Sequence, residues 1–105
     1  NKITTIPKNI SNLINLKKLW INGNQIITCN FIANLLNLKE LYLSNNQIIK
    51  LPIEICNLTK LKFIQIDDNP IEFPPKHIIE KQTDKIMGFL KEKFKIKSKF
   101  FIYYF

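Results

Sequence analysis

The sequence predicts an α/β fold in which short parallel strands stack as coils of a solenoid, closed by a C-terminal amphipathic helix. Three observations predict it. An apolar frame recurs at spacings of 22 and 23 residues. One asparagine recurs at a fixed place in that frame, inside an otherwise apolar run. Beyond Pro75 the apolar period changes to that of a helix.

The frame is read from LKKLWINGNQI (Leu16–Ile26), LKELYLSNNQI (Leu38–Ile48) and LKFIQIDDNPI (Leu61–Ile71). A fragment of an earlier copy opens the chain, where Asn1, Ile3, Ile6 and Pro7 match Asn46, Ile48, Leu51 and Pro52. The linking stretches agree too: Ile10, Leu13 and Leu16 correspond to Ile55, Leu58 and Leu61. In the middle copy Cys29 takes the Leu51 place, and one residue fewer precedes Ile32 and Leu35. A start in mid-repeat suggests the C-terminal end of a longer array.

Each copy holds one short strand, around Lys18–Ile21, Glu40–Leu43 and Phe63–Ile66. Side chains alternate along a strand, so Leu19, Ile21, Leu41, Leu43, Ile64 and Ile66 face the core. One coil cannot bury its own apolar side, whereas stacked coils can. The sharp turn after each strand leaves backbone groups unpaired. A buried amide supplies donors and an acceptor for them. Asn1, Asn24, Asn46 and Asn69 are therefore expected to form a ladder between adjacent coils.

After Asn69 the frame decays: Lys81 falls where Leu58 would be, and Asp84 where Leu61 would be. Ile79, Thr83, Ile86, Leu90 and Phe94 then share one helix face, flanked by Met87 and Phe89. This period predicts one helix over roughly Lys76–Lys95. The chain divides into repeats over 1–78, a capping helix over 79–97 and an aromatic tail, 98–105. The tail's FFIYYF is too short to span a bilayer and reads as a strand of a following element or a truncated end. Membrane contact is not expected.

The formal charge is +8, and all sixteen basic residues are lysines. Eight of them lie in residues 76–105. Without arginine for bidentate base contacts, sequence-specific nucleic-acid binding is not expected. Asp67–Asp68 lacks the further oxygen ligands of a cation site. His77, the single histidine, has no partner for zinc or base catalysis. No cofactor site and no catalytic residue is expected. Two cysteines at different coil positions do not imply a disulfide, and a cytoplasmic setting is expected against the opposing signal of two glycosylation sequons, Asn9-Ile-Ser11 and Asn57-Leu-Thr59.

The outward strand positions line one concave face: Lys18, Trp20 and Asn22; Glu40, Tyr42 and Ser44; Phe63, Gln65 and Asp67. Gly23, Asn45 and Asp68 extend the rows. Trp20 and Tyr42 should lie side by side with Phe63 diagonal to them, an aromatic row of the kind that anchors interfaces.

The recurring frame resembles the leucine-rich repeat family in its roughly 23-residue form, over residues 1 to about 78. Leu51-Pro52 followed by Ile55 is most similar to intracellular Ras-group members. The stretch NPIEFPPKHIIEKQTDKIMGFL (Asn69–Leu90) looks like the capping segment of such arrays, although Gln82 stands where a glycine is often found. The resemblance implies a signalling or scaffolding module that binds a protein on its concave face, with a Ras-type small GTPase as one partner class. The alternative is the non-catalytic regulatory end of a larger kinase, GTPase or phosphatase, and behind it a lysine-mediated nucleic-acid or acidic-membrane binder.

Overall fold

The computed structural model describes residues 3, 4 and 6–104, apart from the side chains of 8, 11 and 100–104. Asn1, the first member of the expected ladder, lies outside the described residues. Three strands, β1 (Lys18–Trp20), β2 (Glu40–Tyr42) and β3 (Phe63–Gln65), form a parallel sheet in sequence order. The register pairs Lys18 with Glu40 and Phe63, Leu19 with Leu41 and Ile64, and Trp20 with Tyr42 and Gln65. The copies of the frame therefore stack column on column. On the return path each copy makes a short 3₁₀ helix, at Lys8–Asn12, Asn30–Asn34 and Ile53–Asn57.

The core lies between the sheet and these 3₁₀ turns. Leu41, Leu43, Ile48, Leu51, Ile55 and Leu58 of the copy starting at Leu38 are all fully buried. Cys29, in the Leu51 column, is equally buried. The first copy is covered on one side only. Leu13 is 52% exposed, while Leu35 and Leu58 in the same column are 0% exposed.

The asparagines do what the frame demands of them. Asn46 Oδ1 accepts from the Ile26 N–H at 3.1 Å. Its Nδ2 donates to the carbonyls of Ile21 at 3.0 Å and Leu43 at 2.9 Å. Asn69 repeats this one copy later, accepting from Ile48 N–H and donating to the carbonyls of Leu43 and Ile66. Asn24 accepts from Ile3 N–H and donates to the Ile21 carbonyl. Each amide thus bonds to its own turn and to the preceding copy.

Two further columns support the turns. Gly23, Asn45 and Asp68 occupy one column, and all three take positive φ, at 72°, 58° and 58°. Glycine, asparagine and aspartate are the residues that tolerate the left-handed region best. Asp68 is thereby explained as a turn residue. On the opposite side Asn37 Nδ2 donates to the Ile14 carbonyl at 2.6 Å, and Lys60 Nζ donates to Asn37 Oδ1 at 2.7 Å.

The C-terminal segment departs from the single helix expected over Lys76–Lys95. It forms α1 (Lys76–Ile79), a break, and α2 (Thr83–Tyr104). Helix α1 takes the place of a fourth 3₁₀ turn, following Pro75 as the third follows Pro52. The break lets Thr83 reach the sheet, where its Oγ1 accepts from the Ile64 N–H at 3.1 Å on the outer edge of β3. Ile86 and Leu90 are buried against the last copy, and Phe73 meets Phe89 at 5.9 Å between ring centroids. Because α2 continues to Tyr104, the backbone of the tail is helical up to that residue, not a strand. Among the described residues no helix is long and apolar enough to cross a membrane.

These contacts set two expectations for stability. Asn46→Ala orphans buried groups on two copies and should lower the unfolding free energy by on the order of 1–3 kcal/mol in urea titration. Gly88 sits inside α2 with open space where a Cβ would stand. Gly88→Ala should raise stability by roughly 0.5–1 kcal/mol in the same assay, since glycine is a poor residue for a helix interior.

Candidate protein-docking face

The outward side chains of the three strands form one surface whose composition changes from column to column. The column starting at Lys18 runs Lys18, Glu40, Phe63. The next outward column runs Trp20, Tyr42, Gln65. Beyond the strands comes Asn22, Ser44, Asp67.

The aromatic row lies where the register puts it. Trp20 and Tyr42 have centroids 4.8 Å apart and planes tilted by 58°. Tyr42 and Phe63, diagonal neighbours, are 5.4 Å apart. Trp20 is 68% exposed and Phe63 42% exposed, while Tyr42 between them is half-buried.

Polar contacts hold this row in place. The Tyr42 hydroxyl donates to Glu40 Oε1 at 2.5 Å, and Lys18 Nζ lies 3.4 Å from Glu40 Oε2. The Tyr42 hydroxyl, then Lys18, hold the Glu40 carboxyl below the usual carboxylate range. The same bond, then desolvation, raises the Tyr42 hydroxyl above its ordinary value. Since the carboxyl is depressed, its contribution is present above the unfolded carboxylate pKa and is lost as pH falls through the lowered value. Since the phenol is raised, its contribution is lost only as pH climbs through the raised value. The Lys18–Glu40–Tyr42 contact is thus intact across the neutral range.

The outermost column behaves differently from the sequence expectation. Ser44 is buried at 7% exposure and is not an outward contact residue. Its N–H donates to Asn22 Oδ1 at 2.8 Å, and its Oγ donates to Asp67 Oδ1 at 2.6 Å. A serine side chain is short enough to be enclosed by its longer column neighbours. Asn22 and Asp67 remain exposed while holding it. Sequence reasoning missed this link, although Asn, Ser and Asp in one column is the signal that could have shown it.

Elsewhere the Glu54 carboxyl is held below the usual carboxylate range by its own backbone N–H and then by Lys97 Nζ at 3.0 Å. Burial pushes the Cys29 thiol up to about 12, and desolvation also raises Cys56. Neither is an activated thiolate. Among the described residues no group of three or more His, Cys, Asp or Glu could hold a metal ion. In the native state a soluble thiol reagent should modify Cys56 slowly and Cys29 only after unfolding, which mass spectrometry of the labelled chain would resolve.

Residues 36–75 match the family model of leucine-rich repeats, in two copies. No curated protein matches the chain in sequence. Among solved structures, the chain is similar to a leucine-rich repeat protein of Leptospira interrogans, with 33% identity and a TM-score of 0.64 over 81% of this chain and 28% of that one. It is also similar to an internalin of Listeria monocytogenes, with 30% identity and a TM-score of 0.62 over 78% of this chain and 24% of that one. The chain therefore spans only about a quarter of the length of either structure. Strand register, the matched segment and these likenesses together support the leucine-rich repeat family for this chain.

Proposed function

We propose that the strand face docks a protein partner, with Trp20, Tyr42 and Phe63 as anchors and Lys18, Asn22, Glu40, Gln65 and Asp67 around them. Leucine-rich repeat proteins generally mediate protein–protein interaction. The observation that carries the reading is the exposure of Trp20. A tilted aromatic pair in a sheet contributes roughly 0.2–1 kcal/mol. A tryptophan side chain can bury on the order of 200 Å², and this one keeps 68% of its surface in water. Covering the remainder would contribute about 3 kcal/mol at 25 cal/mol per Å², more than the pair itself. The face is held by the core and by the Lys18–Glu40–Tyr42 contact, so little ordering is lost on docking.

The finer reading is a Ras-group member: a cytoplasmic signalling or scaffolding solenoid with a Ras-type small GTPase among its partner classes. Its support is the Leu51-Pro52 element and the Asn69–Leu90 segment, together with free thiols at Cys29 and Cys56.

The double variant Trp20→Ala/Tyr42→Ala should keep the circular dichroism of the wild type. It should weaken binding to an identified partner by roughly 100-fold, as expected for loss of a central aromatic anchor, read by titration calorimetry. Titration against a Ras-type GTPase in its two nucleotide states tests the finer reading. Unchanged affinity of the double variant would remove this face as the site.

A further inference from the structure

Immediately before the strands, Lys17, Lys39 and Lys62 fall in one column. Their backbones are stacked directly: Lys39 N–H donates to the Lys17 carbonyl at 2.7 Å, and Lys62 N–H to the Lys39 carbonyl at 2.9 Å. All three side chains are exposed. Among the described residues none of them enters an ion pair, whereas Lys18 in the adjacent column is matched to Glu40. Like charges opposite one another across neighbouring strands are destabilising, so this column acts against the stack that carries it. At its far end Lys62 and Phe63 line an open depression of about 440 Å³ with Lys81, Thr83 and Asp84.

The face is therefore polarised along the strand direction. A cationic column stands at one edge and the aromatic row lies in the middle. Asp67 and Asp68 stand at the other edge. A polyanion without an apolar side would be drawn to the lysines and repelled by those aspartates, leaving Trp20 uncovered. A segment with an acidic stripe beside an apolar stripe satisfies all three zones.

The spacing selects its conformation. Adjacent strands lie about 4.8 Å apart, so the outer lysine backbones are about 10 Å apart. Helix positions i, i+4 and i+7 share a face and span about 10.5 Å. Positions i, i+2 and i+4 of a strand span about 13.6 Å. Resting on the docking face proposed above, we infer that the partner element is an acidic amphipathic helix. It lies across the strands, with carboxylates over Lys17, Lys39 and Lys62 and its apolar stripe on Trp20 and Tyr42.

Trp20 is the sole tryptophan of the chain, so its fluorescence reports on this face. The probe is a synthetic tryptophan-free amphipathic helix with glutamates at i, i+4 and i+7 beside a leucine stripe. Its control carries lysines in place of the glutamates, and oligothymidylate is a third probe. The acidic peptide is expected to bind and shift Trp20 emission. Its affinity should fall roughly tenfold or more between low and high salt, and by a similar factor in Lys17→Gln/Lys39→Gln/Lys62→Gln. Iodide should quench free wild-type Trp20 better than caesium does, a measurement that needs no variant. The inference is overturned if the acidic peptide does not bind, if the triple variant or the lysine peptide binds as well, if oligothymidylate binds more tightly, or if caesium is the better quencher. Should any of these occur while Trp20→Ala/Tyr42→Ala still disrupts an identified partner, the acidic helix falls and the docking face stands.

Discussion

The structure depends on the column of amides, in which Asn24 and Asn46 are buried and Asn69 is half-buried. Each asparagine bonds backbone groups of its own turn and of the copy before it. The distance from the first leucine of the frame to its asparagine is consequently the same in all three copies, from Leu16 to Asn24, Leu38 to Asn46 and Leu61 to Asn69. The residue missing from the middle copy is lost on the other side, ahead of the 3₁₀ turn at Asn30–Asn34. There no buried amide sets the count, and Cys29 takes the apolar place instead. The constraint also decides front from back. A slip of one residue would turn every strand side chain to the opposite face, sending Trp20 inward and Leu19 outward.

This division explains what was legible in the sequence. The strand register could be read because apolar and amide columns repeat, and burial follows directly from them. The end of the repeats was legible for the same reason, since Lys81 and Asp84 cannot fill leucine columns. Features that rest on contacts between polar columns were missed. Gly23, Asn45 and Asp68 align as an extension of the outward rows, but nothing in the frame shows their shared left-handed turn. Ser44 alternates as an outward residue, yet its neighbours Asn22 and Asp67 enclose it. The break before α2 was hidden because the helical period of Ile79, Thr83 and Ile86 runs through it unchanged. What interrupts the helix is the demand of the sheet edge for an acceptor, met by Thr83.

The two flanks of the stack are unequal as a result. At the β3 flank the Ile64 N–H is satisfied by a side-chain hydroxyl, and Ile86 and Leu90 cover the apolar columns. A further strand cannot add there, which is how an edge is protected from pairing with another chain. At the β1 flank Leu13 and Ile3 stay about half exposed in columns that are buried elsewhere.

Neither flank carries the aromatic row. The aromatic row stands on residues whose inward neighbours, Leu19, Leu41 and Ile64, are the core itself. The same hydrogen bonds that fix the strands fix the spacing of Trp20, Tyr42 and Phe63. A flexible surface would have to be ordered on binding, and that loss of freedom opposes the affinity. Here that ordering is completed on folding, by the amide column in the turns that follow the strands, so the stability of the ladder and the fixed spacing of the aromatic row are one property.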